Sequence, residues 1–149
     1  MKLETIVPLP PEDYLYNLGL IVYSVGYLEW ILLGDLCNRD SELPEQLKFP
    51  YLVGKSTGQI AKLLMDEQKL ALVSDNGLRD RMRKFGQALE DIAKRRNSAL
   101  HARSAKITDK TQGLYRWLKS EQFEINEDFL RCLNDEIQNA IREDANRRR

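Results

Sequence analysis

Residues 78–103 read LRDRMRKFGQALEDIAKRRNSALHAR, and how this stretch is read decides the fold. Leu78, Met82, Phe85, Leu89 and Ile92 recur at spacings of four, three, four and three, which lines one face of an α-helix. The predicted helix begins near Ser74. The next position on its stripe is Arg96, a guanidinium where the pattern asks for a hydrophobe. Five residues later stands His101, the single histidine of the chain.

A guanidinium on a buried stripe needs partners or water. Arg96 can snorkel, its stem covering apolar surface while its head reaches solvent. It can also pair with Glu29, the other charge that falls inside an apolar run. The third reading has both elements facing a wet, anion-binding cleft. Asn97 and His101 stand four apart, so they share a helix face and the carboxamide can orient an imidazole nitrogen. Arg96 and His101 diverge by about 140° round the helix, at ~100° per residue. One helix does not easily aim both at a single atom, whereas two copies meeting across a two-fold axis can.

The flanking elements extend this picture. Upstream, PPEDYLYNLGLIVYSVGYLEWILLGDLCNRD (10–40) starts a helix at its prolines, with Glu12 and Asp13 favourable to the dipole of the first turn. From Leu15 to Leu33 it is apolar nearly all round. Asn17, Ser24 and Glu29 argue against a membrane span, as does the lack of a flanking basic cluster. The expectation is a helix packed on its own core with one side and on a partner subunit with the other. SELPEQLKFPYLVGK (41–55) is a connector broken by Pro44 and Pro50. STGQIAKLLMDEQKLALVS (56–74) reads as one helix capped by Ser56 or Thr57, with Ile60, Leu63, Leu64 and Leu70 inward. A phosphate loop at Gly54-Lys55-Ser56 is rejected, because the glycine it needs at position 49 is Phe49.

Downstream, KITDKTQGLYRWLKSEQFEI (106–125) breaks the helical period and alternates around Tyr115, Trp117, Phe123 and Ile125, as a short hairpin or ordered loop would. Tyr115 and Trp117 are expected to pack this excursion against the helices. Asn126 caps a last helix whose face is Phe129, Leu130, Leu133, Ile137 and Ile141. The sum is an all-α fold, a bundle of four principal helices in a single domain over 1–149.

Composition agrees with a soluble globular chain, 42% hydrophobic and 31% charged, which excludes the disordered class. Net charge is zero but unevenly spread. Residues 79–106 hold 9 Lys/Arg against 3 Asp/Glu, a local balance of +6, while residues 1–78 hold 6 against 11. Such a block marks either an anionic partner or a solvated helix face. Cys37 and Cys132 fit no metal spacing, and no basic n-region with a cleavage site opens the chain. A cytoplasmic, reduced protein is the expectation.

RNSALH (96–101), an arginine followed by a polar residue and, after three more, a histidine, resembles the signature of the HEPN superfamily. The long first helix, the TGQIAKLL helix, the YRW…FEI excursion and the closing helix resemble its members in outline. The resemblance implies an all-α homodimer and a metal-independent endoribonuclease, acting in a toxin–antitoxin or phage-defence setting. The alternative it leaves is a non-catalytic dimeric module that binds nucleotide, nucleic acid or a partner protein. Arg96, Asn97 and His101 match the motif as catalytic positions, with Lys94, Arg95 and Arg103 as flanking RNA-binding cations. RNA and an antitoxin protein are the implied partners, with no metal, cofactor or membrane. Two positions depart from the common pattern. Ala102 stands where many members have glycine, and Arg103 where toxins paired with a nucleotidyltransferase antitoxin have tyrosine.

The chemistry suits these residue types. Cleaving RNA without a metal uses the 2′-OH as nucleophile, a proton acceptor and donor, and positive charge on the phosphorane oxygens. Histidine exchanges protons near neutrality, and arginine offers a permanent planar fork to phosphate.

Overall fold

The computed structural model describes residues 4–147. Three long helices carry the core: α1 (Glu12–Cys37), α5 (Asn76–Leu100) and α6 (Glu127–Arg147). Between α1 and α5 lie three short ones, α2 (Phe49–Leu52), α3 (Thr57–Leu64) and α4 (Glu67–Leu70). The segment expected to be one helix over 56–74 breaks at Met65. Asp66 accepts from the Gln68 and Lys69 amides there and starts α4 afresh, because a short acidic side chain satisfies orphan amides better as a cap than inside a helix.

One side of α1 is closed by the rest of the molecule, with Ile21, Val25, Leu28 and Leu36 buried. Polar groups on that side are answered by α6, where Asn134 Nδ2 donates to Asn17 O (3.1 Å) and Gln138 Nε2 to Ser24 Oγ (3.3 Å). By length and apolarity alone α1 could cross a bilayer. Arg81 of α5 ties the far end together, its Nη2 lying 2.7 Å from Asp35 of α1 and 2.9 Å from Asp144 of α6. α3 lies close against α5 at Gly86. A Cβ there would come within 2.7 Å of Met65 Cγ and 3.0 Å of Ala61 O, so only glycine permits the approach.

The excursion after α5 is where the all-α expectation fails. Residues 103–125 form a three-stranded antiparallel sheet of β1 (Arg103–Thr108), β2 (Thr111–Leu118) and β3 (Glu121–Ile125), in that spatial order. The fold is therefore mixed α and β, and neither all-α nor a helical bundle describes it. Its physical cause is an apolar sheet face: Leu114 pairs with Ile125 and Arg116 with Phe123, and Leu114, Phe123 and the fully buried Ile125 join the core. A loop would leave those side chains and their backbone groups unmatched. Tyr14 of α1 pins the sheet to the helices by donating its hydroxyl to Ile125 O (2.5 Å), and burial pushes its phenol up to about 12. The opposite sheet face, with Arg103, Tyr115 and Trp117, looks outward.

Candidate functional site

Two neighbourhoods hold the residues singled out by the sequence. The first surrounds Arg96. Ser56 caps α3 in a reciprocal box with Gln59, which leaves Thr57, the first residue of the helix, free to turn inward. Thr57 is buried, donates its hydroxyl to Glu29 Oε1, and accepts from Arg96 Nη1 at 2.7 Å. Glu29 and Arg96 thus answer each other through a hydroxyl that bridges α1, α3 and α5. Arg96 Nη2 donates to Asn97 Oδ1 at 3.1 Å, and its buried Nε has no partner. The carboxamide expected to orient the imidazole serves the guanidinium instead.

The second neighbourhood is the junction of α5 with the sheet. His101 caps the C-terminus of α5, its amide donating to Asn97 O (2.9 Å), and its carbonyl accepts from Arg116 Nη1 at 3.1 Å. Last-turn carbonyls lack intrahelical partners, so the guanidinium both closes the helix and is held by it. His101, Arg103, Arg116 and Trp117 line an open cleft of about 360 Å³. Strand register explains the gathering. Arg103 pairs with Tyr115 where β1 leaves α5, so the residues of β2 just beyond that pair, Arg116 and Trp117, meet the helix end at His101. Among the described residues the cleft is lined by one histidine and two arginines, with no aspartate or glutamate.

The remaining expected cations separate. Arg103 is exposed and reaches the cleft. Arg95 turns to α6, paired with Glu136 and lying over the Phe129 ring at 5.3 Å. Lys94 is exposed beside Glu90 at 3.6 Å. Sequence reasoning misses Arg116 and Trp117 as site residues. Trp117, expected to pack, is 47% exposed and touches Tyr115 at a ring separation of 6.2 Å. The signal that could find them is their adjacency to the motif in strand register, which needs the turn positions to be known. Among the described residues no three His, Cys, Asp or Glu side chains cluster as metal ligands.

No family model, curated protein or solved structure matches the chain.

Proposed function

We propose that the chain is a metal-independent endoribonuclease that works as a homodimer. The observation that carries this reading is the cleft at the end of α5, where His101 stands with Arg103 and Arg116 and, among the described residues, no carboxylate joins the lining. A neutral imidazole accepts the 2′-OH proton, the 2′-oxygen forms a bond to phosphorus, and the bond from phosphorus to the 5′-oxygen breaks. A protonated imidazole supplies the proton that the 5′-oxygen takes up, leaving a 2′,3′-cyclic phosphate and a 5′-hydroxyl. The guanidiniums neutralise charge on the non-bridging oxygens as the phosphorane forms.

Two imidazoles are needed in this scheme, and each protomer has one. A second copy also answers the outer face of α1, where Tyr16, Tyr23 and Trp30 are 69%, 75% and 65% exposed. Apolar patches of that kind mark interaction surfaces. Lipid is a poorer occupant, since α6 packs along α1 and would carry its charged outer face into the bilayer. The proposed setting is the cytoplasm, supported by two free, exposed thiols, Cys37 and Cys132. An antitoxin protein is the regulator that such an enzyme would need.

The test is purified protein with total RNA in EDTA, beside the His101→Ala variant. Cleavage giving cyclic phosphate ends, abolished in the variant with its melting temperature unchanged, is the expected result. Equal processing by both proteins refutes the assignment. One observation favours the binding-module reading: both Nη atoms of Arg96 are engaged inside the protomer. Under that reading RNA or nucleotide binds the cleft and is released intact.

A further inference from the structure

Trp117 has no structural task that accounts for its position. It lies on the outward face of the sheet, away from Leu114, Phe123 and Ile125, with nearly half its surface in solvent. Exposing an indole forfeits burial of one of the most favourable side chains to bury. Beside Tyr115, the residues that share the cleft of Trp117 are polar: Arg103 on the same sheet face, and His101 and Arg116, which join the cleft from the end of α5 and from the opposite strand face. Arg116 is anchored by Nη1 to the helix end and its Nε is buried, which fixes the base of the guanidinium at the edge of the cleft. Tyr115, two residues along on the same face, meets the indole at an interplanar angle of 54°. The two rings are therefore not stacked on each other, and the outer face of the indole is open.

An open aromatic face bordered by cations matches one ligand chemistry closely. A nucleobase stacks on the ring while the phosphate beside it meets the guanidiniums, as in proteins that bind single strands. A duplex does not fit, because its bases are already stacked and turned inward. We propose that Trp117 is the platform for an unpaired base of single-stranded RNA, next to the phosphate held by Arg103 and Arg116. This rests on the ribonuclease reading for the identity of the polymer, and on the sheet geometry alone for the stacking. Trp117 is then a specificity residue: it selects unpaired over paired RNA and sets which phosphate reaches His101.

The probe is a fluorescein-labelled single-stranded RNA octamer of mixed sequence, with fluorescence anisotropy read at fixed salt. The proteins carry His101→Ala so that the octamer stays intact, with Trp117 kept or replaced. Trp117→Ala should weaken binding roughly 5- to 100-fold, the range expected for losing one stacked base. Trp117→Phe should restore most of it, and Leu118→Ala, an exposed neighbour, should bind as the parent does. An octamer with a single abasic site, moved along the strand, should show one position at which the Trp117→Ala penalty disappears. Melting temperatures within a degree or two across the set keep folding out of the comparison. Equal affinity of the parent and the Trp117→Ala protein overturns the proposal, as does a parent that does not bind. The two readings fail separately. Trp117-dependent binding by a protein that never cleaves RNA leaves the platform and removes the nuclease. His101-dependent cleavage with kcat and KM unmoved by Trp117→Ala leaves the nuclease and removes the platform.

Discussion

A threonine hydroxyl has one proton to give, and Thr57 gives it to Glu29 while accepting from Arg96. That arrangement leaves neither charge stranded in the protein interior and fixes the guanidinium at the same time. Thr57→Val keeps the shape but leaves a carboxylate oxygen and a guanidinium nitrogen facing a methyl group. It should cost about 1–3 kcal/mol in thermal or urea unfolding, whereas Thr57→Ser should cost well under half of that. Identical melting of the two variants would show that the relay contributes nothing. Non-additivity of Thr57→Val with Arg96→Ala is expected in a double-mutant cycle, since both remove the same interaction. Half of this arrangement is legible in the sequence. Arg96 on an apolar stripe and Glu29 in an apolar run each announce a charge that needs an answer. The mediator is not, because STGQI reads as a cap, and only the structure shows that Ser56 takes the cap and releases Thr57.

The hairpin between β2 and β3 explains why the sheet is hard to see from sequence. Its two-residue turn is Lys119–Ser120, with φ of 49° and 72°. Turns of this kind favour Asn-Gly, and a side chain at positive φ is costly. The strongest short-range sign of a hairpin is therefore missing. The outer strand β1, RSAKIT, alternates over only two apolar positions, Ala105 and Ile107, half-buried between exposed neighbours, a signal too short to mark a third strand by itself. What is legible is the alternation from Leu114 to Trp117, which signals extended chain but not how many strands pair. Replacing Lys119→Asn and Ser120→Gly together should raise stability by about 1 kcal/mol by removing the strained turn. Calorimetry would read this directly, and an unchanged or lower melting temperature would count against a strained turn. Because Trp117 lies two residues before that turn, the same variant should leave RNA affinity equal to the parent's or better.

At the scale of the whole molecule, the outer face of α1 carries four of the six exposed aromatic rings among the described residues. Tyr16, Gly19, Tyr23, Gly26 and Trp30 recur at spacings of three and four, alternating ring and glycine. Nothing lies within 4 Å of where a Cβ on Gly19 or Gly26 would be, so the two glycines are open notches between exposed rings. A second α1 laid antiparallel across a two-fold axis between Tyr23 and Gly26 sets Tyr23 over the Gly26 notch and Trp30 over the Gly19 notch in both directions, the self-complementarity that a two-fold interface requires. The exposed parts of Tyr16, Tyr23, Tyr27 and Trp30 together offer about 500 Å². With Leu15, Val22 and the helix backbone added, the face approaches the ~800 Å² per partner of a standard interface. Glu29 does not disturb it, since its carboxylate is turned inward to Thr57. Tyr23→Arg forces a guanidinium into each Gly26 notch, the two charges flanking the axis less than a helical turn apart, and should yield a monomer at micromolar concentration in light scattering. The parent should be a dimer. The helical content and melting of the variant should stay near the parent's, because Tyr23 is 75% exposed and buries little in its own protomer. Glu29 stands next to Trp30 in the chain, so the face that pairs borders the Arg96 relay. If cleavage needs an imidazole from each copy, monomeric Tyr23→Arg loses it while still binding single-stranded RNA through Trp117. A Tyr23→Arg monomer that cleaves as fast as the parent would confine the chemistry to one protomer and leave the α1 face without a role in it.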